Sequence, residues 1–270
     1  MSRRVRSRAG VIALTDTGGD LPPVLCLHGI GTGAAAFAPL AGLLADRLRL
    51  IAWDAPGYGN SADPESAPGM DGYADAAADV LDELGLGRAS VIGTSWGGVI
   101  ATRLALRHPD RLSGLVLADS TRGSGTAPGK AAAMRARGGE LAERGPAEFA
   151  RARARRLLSP DAPAAEVERV AEAMAATIRM PGYGYAAESM AATDHGDVLG
   201  AVTAPTLVVV GEHDAVCPPA ESRLIAESVP GARYIEIPGA GHLSNQERPE
   251  SFAGAVRDFL VTHSKSKENR

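Results

Sequence analysis

The sequence predicts an α/β fold: a mostly parallel central sheet with helices on both faces and one inserted block of helices. Three observations lead there. Short, nearly continuous apolar runs recur along the chain and end in Gly, Asp or Ser, the pattern of strands buried on both faces. Segments of helical periodicity separate these runs, and strands alternating with helices pack as parallel neighbours. One long stretch, 121–203, carries no comparable apolar run.

In chain order the strand candidates are PVLCLHG (23–29), LRLIAWD (48–54), ASVIGTS (89–95), LSGLVLADS (112–120), TLVVVGEHD (206–214) and ARYIEIPGAG (232–241). Helical spacing covers Ala35 to Arg47, Tyr73 to Leu84, Trp96 to Arg107, Pro219 to Val229 and Pro249 to Thr262. The core domain is therefore expected over 1–120 and 204–263, and the polar tail SKSKENR, 264–270, is expected to be disordered. Residues 121–203 are rich in Ala, Arg and Glu and are broken by APGK, RGP, SPDAP and MPGYGY, as several short helices would be. They enter at the C-terminal edge of the parallel strands, where open α/β sheets bind ligands, so a helical cap over a site is expected there.

With 270 residues and 45% hydrophobic content, the chain can bury a substantial core. Its 28 basic and 32 acidic residues leave a net charge of −4, which gives no attraction to a phosphate backbone, so nucleic acid is not an expected partner. The twin arginine of MSRRVRSRAGVIALTD is followed only by Val11 to Leu14 before Asp16, too short for the apolar region of an export signal. No window nears the roughly 18 apolar residues of a membrane span, so a cytoplasmic location without a membrane partner is expected. Cys26 and Cys217 lie in or near apolar segments without CxxC or CxxxH spacing, and are expected as buried or free thiols with no metal framework.

The chemistry centres on VIGTSWGGVIATRLAL (91–106), where Gly93-Thr94-Ser95-Trp96-Gly97 matches G-x-S-x-G between a strand and a helix. The turn is so sharp that side chains two residues either side of the serine would clash, and glycine relieves the clash. Ser95 then stands above the sheet edge at a helix N-terminus, which favours developing negative charge. A serine needs a base, and the base needs a third group that fixes its tautomer. In the chain order for such a sheet, Asp214 closes TLVVVGEHD and His242 follows YIEIPGAG, both at C-terminal strand ends. HGIGTG (28–33) supplies a glycine-rich turn whose backbone N–H groups suit an oxyanion, with donors expected at Ile30, alternatively Gly31, and at Trp96.

Rival residues have plainer readings. His28 is expected to be structural, His108 to cap a helix or face water, His213 to occupy the turn before Asp214, and His263 to lie near the tail. His195 is the cap histidine whose approach to the site is an alternative. Asp119, at the end of LSGLVLAD, competes with Asp214 for the role of acid, and Asp54 is expected to organise the loop beneath the oxyanion turn. The run RARARR (151–156), with Arg135, Arg137 and Arg179, is expected to be a solvated helical face; the alternative is one arginine reaching down to a substrate carboxylate. Tyr183, Tyr185 and Met190, with Gly31, are candidates for the substrate pocket, and otherwise fill the cap's interior.

Through HGIGTG (28–33), DAPGYGNS (54–61), GTSWGG (93–98), GEHD (211–214) and GAGH (239–242), in that order, nearly the whole chain resembles the α/β-hydrolase family. The resemblance implies a Ser95-His242-Asp214 triad, a cap at 121–203, and no need for a metal or organic cofactor. Serine at position 95 separates the chain from the related haloalkane dehalogenases, which place an aspartate there. The end GAGHLSNQERPESF (239–252) is similar to that of the 3-oxoadipate enol-lactonases, although those enzymes usually carry Leu or Met after the nucleophile and a different first turn. The indole of Trp96 is therefore expected to narrow the pocket. The expected activity is cofactor-independent serine hydrolysis of a small carboxylic ester or enol-lactone through an acyl-enzyme. One alternative is carbon–carbon hydrolysis of ring-cleavage diketones, whose enzymes usually have proline where Thr32 stands. The other is a non-catalytic ligand receptor on the same fold; such receptors often lose a triad residue, and none is missing here.

Overall fold

The chain opens on a hairpin, β1 (Ser2–Ser7) paired antiparallel with β2 (Gly10–Asp16), in a computed structural model that describes residues 1–264. No element was expected here, so the hairpin extends the predicted sheet. Of β1 only Val5 is buried; its arginines face out, and Arg8 in the turn reaches Asp79 at 2.8 Å. A charged edge strand of this kind resists pairing with another chain.

All six predicted strands form: β3 (Pro23–Leu27), β4 (Arg49–Trp53), β5 (Ala89–Thr94), β6 (Leu112–Ala118), β7 (Thr206–Gly211) and β8 (Arg233–Ile237). The sheet runs β1-β2-β4-β3-β5-β6-β7-β8, antiparallel between β1, β2 and β4 and parallel from β4 to β8. Parallel pairing puts the C-terminal ends of β3, β5, β6, β7 and β8 on one edge, where the sequence places its chemical residues.

Helices cover both faces. α1 (Ala38–Leu44) and α9 (Pro249–Ser264) close one side, where Leu40, Leu44, Phe252 and Val256 pack on Cys26, Ile92 and Val209. α2 (Gly69–Glu83) and α3 (Trp96–Arg107) close the other through Tyr73, Val80, Val99 and Leu104. The insertion between β6 and β7 holds α4 (Pro128–Leu157), α5 (Ala164–Thr177) and α6 (Gly182–Ala191), with no strand among the described residues. α4 is broken at Gly145, whose φ of 73° leaves the helix just before Pro146, which has no N–H to donate. α7 (Pro219–Ser228) and the short α8 (Ser244–Glu247) complete the set. α9 continues through Ser264, the first residue of the tail expected over 264–270, and 265–270 lie outside the described residues.

Insertion and core meet along a tight seam. Gly57, in the loop after β4, lies against Gly182 at the start of α6 so closely that a methyl on Gly182 would sit 2.6 Å from the Gly57 carbonyl carbon. Arg179 donates to the carbonyls of Gly59 (2.9 Å) and Ser61 (2.7 Å) in the same loop. No helix among the described residues is long and apolar enough to cross a membrane.

Candidate active site

Ser95 sits between β5 and α3 with φ 52° and ψ −117°, a left-handed backbone that costs a non-glycine residue about 1–3 kcal/mol. The surrounding glycines make it possible. A methyl on Gly93 would lie 2.6 Å from Gly98 Cα, and one on Gly97 2.5 Å from the Leu27 carbonyl carbon. Strand, turn and helix thus pack backbone against backbone. Ser95 N–H donates to the Ala118 carbonyl (2.9 Å), and the Ser120 hydroxyl donates to the Ser95 carbonyl (2.8 Å), which fixes the turn against β6.

The Ser95 hydroxyl lies 3.0 Å from Nε2 of His242, and Nδ1 of His242 lies 2.8 Å from Oδ2 of Asp214. Both partners stand where strand-end logic placed them, after β8 and β7. Asp214 Oδ1 accepts the N–H groups of Val216 and Cys217, each at 2.8 Å, so its carboxylate cannot rotate away from the imidazole. With Nδ1–H donating to Asp214, Nε2 is left to accept from the serine hydroxyl. Burial by itself would lower the His242 pKa, but the charge and hydrogen bond of Asp214, together with the charge of Asp119, outweigh it and raise the pKa.

Asp119 stands on the neighbouring strand end, also in left-handed backbone (φ 48°), and does not touch the imidazole. Its Oδ1 accepts Gly211 N–H (2.9 Å), and its Oδ2 accepts the hydroxyl (2.6 Å) and N–H (3.1 Å) of Ser244. Burial, with the Asp214 charge adding to it, pushes its pKa up to about 7. Of the two competing acids, Asp214 contacts His242 and Asp119 secures the loop that carries it.

The turn after β3 crosses close to the serine. A methyl on Gly29 would come 3.2 Å from Ser95 Cβ. Thr32 N–H closes back on the Gly29 carbonyl (3.0 Å), whereas among the described residues neither Ile30 N–H nor Trp96 N–H donates to a backbone acceptor. His28 is buried beneath; it accepts Ala55 N–H at Nε2 (2.9 Å) and therefore donates from Nδ1 to the Gly29 carbonyl (2.8 Å). Asp54 accepts Ala34 N–H (2.9 Å) on one oxygen and Asn60 N–H (2.9 Å) on the other, tying the turn to the loop after β4.

A family model described as the alpha/beta hydrolase fold matches residues 22–249. The chain belongs to the α/β-hydrolase family. A poly(3-hydroxyalkanoate) depolymerase of Ectopseudomonas oleovorans is 31% identical over 258 residues, covering 89% of this chain and 84% of that protein. A 3-oxoadipate enol-lactonase of Acinetobacter baylyi is 27% identical over 89% of each chain. A 2-hydroxy-6-oxononadienedioate/2-hydroxy-6-oxononatrienedioate hydrolase of Cupriavidus pinatubonensis is 31% identical over 92% of this chain and 90% of that one. Among solved structures, a thermophilic esterase from Thermogutta terrifontis with malate bound superposes with a TM-score of 0.87 at 31% identity, over 98% of this chain and 100% of that one.

In this hydrolase the Trp96 indole corrects one expectation. The side chain is 0% exposed, edge-on to Tyr73 with ring centres 4.8 Å apart, and Nε1–H donates to the Ser189 hydroxyl (3.0 Å). It is core between α2 and α6 and does not narrow a pocket: as the first residue of α3 it is turned beneath the serine. Tyr183 and Met190 are likewise buried, Tyr183 edge-on to Phe149 at 5.1 Å. Tyr185 faces a separate cleft of about 320 Å³ with Met70, Asp71, Arg103, Glu188 and Thr193, none of them a neighbour of Ser95 in the hydrogen-bonded chain. Gly31 does adjoin the insertion: a methyl there would meet Met174 Cε at 2.6 Å. The sequence reading missed Met174, since nothing in the alanine-rich run AEAMAAT marks it.

The remaining histidines stay away from the serine. His108 pairs with Asp75 (2.7 Å), and exposed His213 lies 3.9 Å from Glu212. His263 packs on Phe259. His195, near the C-terminal end of the insertion, is buried with both ring nitrogens lacking a hydrogen-bond partner among the described residues, and burial, aided by Arg103, pushes its pKa down to about 4. Both cysteines are free and buried, and burial raises their thiol pKa values.

Proposed function

We propose that this hydrolase cleaves a small carboxylic ester or lactone, with Ser95 as nucleophile, His242 as base, Asp214 as the acid that orients it, and the N–H groups of Ile30 and Trp96 as the oxyanion hole. The observation that carries this reading is the continuous hydrogen-bonded chain from Asp214 through His242 to the hydroxyl of Ser95, held on its strained turn. Ser95 Oγ attacks the carbonyl carbon as Nε2 of His242 takes its proton. The tetrahedral oxyanion lies against the two backbone donors, and collapse expels the alkoxide, which receives the proton from His242. Water then attacks the acyl-enzyme with His242 again as base, releasing the acid and restoring Ser95.

The helical insertion, in this reading, is the cap: α5 lays Met174 over Gly31 and so limits the space above the oxyanion turn. The named activities of relatives support the substrate class, since they include an enol-lactonase and an esterase. A fluorophosphonate probe should label the wild-type protein and not Ser95→Ala, and turnover of aryl esters and lactones should vanish in the same variant. Undiminished turnover by Ser95→Ala would sink the assignment.

Carbon–carbon hydrolysis is the second reading, favoured by the 31% identity to the oxononadienedioate hydrolase. An enol-lactone assayed beside a vinylogous 1,5-diketone separates the two, because the reading above requires the lactone to be the faster substrate.

A further inference from the structure

The pattern G-x-S-x-G accounts for Gly93 and Gly97 but leaves the next glycine, Gly98, without a reason. Its surroundings supply one. A methyl on Gly98 would collide with Ser120 Oγ and lie 2.6 Å from Ser120 Cβ. The bare first turn of α3 therefore makes room for one buried hydroxyl that arrives from the end of β6.

The strand end places that hydroxyl. β6 stops at Ala118, the chain turns at Asp119 (φ 48°), and Ser120 reaches back to donate to the Ser95 carbonyl at 2.8 Å. Ser95 N–H donates to the Ala118 carbonyl at 2.9 Å. The end of β6 thus holds both peptide groups that flank Ser95. The Ser95 carbonyl also accepts Gly98 N–H at 2.9 Å and Val99 N–H at 3.3 Å, so the Ser120 contact is the shortest of the three.

That carbonyl matters because of the group across the same peptide bond. A trans peptide is planar, and its C=O and N–H point in opposite directions. The N–H opposite the Ser95 carbonyl is that of Trp96, the proposed oxyanion donor, which has no backbone acceptor among the described residues. A donor on the carbonyl fixes the direction of this N–H. It also draws electron density through the amide, which makes the N–H a stronger donor. The Trp96 indole is anchored separately, at the Ser189 hydroxyl (3.0 Å), so α3 keeps its seat without help from Ser120.

We infer that Ser120 is a positioning residue of the oxyanion hole: its hydroxyl aims and polarises the Trp96 N–H by gripping the carbonyl of the same peptide. The inference rests on the reading of Ser95 as nucleophile and of Trp96 N–H as oxyanion donor. Ser120 acts through Trp96 and not on the substrate. Its contribution grows as negative charge develops on the substrate oxygen, and therefore belongs in kcat and not in KM.

The test follows phenyl acetate turnover and inhibition by two ketones in wild type, Ser120→Ala and Ser120→Cys. With trifluoroacetophenone, a bond from Ser95 Oγ to the carbonyl carbon pushes the carbonyl electrons onto oxygen while His242 takes the hydroxyl proton, which leaves an oxyanion in the hole. Acetophenone binds without this addition. Ser120→Ala should lower kcat by about three- to tenfold at unchanged KM, the range for one neutral hydrogen bond. Inhibition by trifluoroacetophenone should weaken by a similar factor, and inhibition by acetophenone should not change. Cysteine, close in shape but a weak donor, should fall between alanine and wild type. Both variants keep Gly98 N–H on the Ser95 carbonyl, so no buried acceptor is stranded and thermal melts should show them folded. The rate of fluorophosphonate labelling reads the same hole without any ester turning over, and it should also fall in Ser120→Ala. Unchanged kcat, trifluoroacetophenone inhibition and labelling rate in Ser120→Ala would overturn the inference and leave the hydrolase reading standing. Equal losses for the two ketones, or a loss confined to KM, would make Ser120 a structural residue only and overturn it as well. A wild type that neither turns over nor labels, or undiminished turnover by Ser95→Ala, would remove the hydrolase reading itself and the inference with it.

Discussion

Asp119 accepts both the hydroxyl and the backbone N–H of Ser244, two residues beyond His242, and so clamps the loop that presents the imidazole. Asp214 contacts the imidazole itself. The two acids should therefore fail differently. Asp119→Ala leaves the buried N–H groups of Gly211 and Ser244 without an acceptor, at about 1–3 kcal/mol each, and should appear first as a lower denaturation midpoint. Asp214→Asn should instead lower kcat by about 10⁴ through the wrong histidine tautomer. Near-wild-type turnover by Asp214→Asn would exchange the roles.

The pH profile carries the sign of the His242 shift. The proposed base acts only when neutral, and its pKa is raised above the ordinary value of about 6.5. Activity should fall as pH drops through an inflection lying above 6.5. An initial-rate profile of kcat/KM locates that inflection. A flat profile between pH 5 and 8, where histidine titrates, contradicts the scheme.

Glycine substitutions should have opposite signs at two positions. Gly93→Ala drives a methyl into the backbone of α3 and should destabilise the protein by about 3 kcal/mol or more. Gly42, inside α1, has open space around its would-be side chain, so Gly42→Ala should stabilise by about 0.5–1 kcal/mol. Thermal melts of the two variants read both effects.

Asp16 supplies an acid-sensitive component of stability. Hydrogen bonds from Arg49 at 2.9 and 2.7 Å, with help from Gly18 N–H and Arg3, outweigh its burial and hold its pKa well below the carboxylate range. Because the folded pKa is depressed, this stabilisation is complete above the unfolded value of about 3.9 and is lost as pH falls below it. Urea midpoints measured from pH 6 down to pH 2 should decline less steeply in Asp16→Asn, from a lower starting stability. Parallel declines would mean that other carboxylates control the acid limb.

The core strands and Ser95, Asp214 and His242 were legible because buried parallel strands are written as continuous apolar runs whose ends mark one sheet edge. The β1–β2 hairpin was not, since SRRVRS buries only Val5 and the acids that hold Arg8 in the turn lie on α2, far along the chain. The orientation of Trp96 was equally hidden. Its sequence position beside Ser95 suggested a pocket wall, but the helical phase set by the turn aims the indole at Tyr73. How the arginines of the insertion pair was also beyond periodicity, because Arg153 reaches back across the break at Gly145 to Glu140.

The backbone contact between Gly57 and Gly182, reinforced by Arg179 on the Gly59 and Ser61 carbonyls, bears on how such proteins exchange parts. That seam binds α6 to the same loop that Asp54 ties to the turn after β3. A transplanted insertion from another family member would arrive with a mismatched footing unless residues 55–63 travelled with it. The unit of recombination is thus larger than the inserted helices and includes a loop encoded more than a hundred residues before α6.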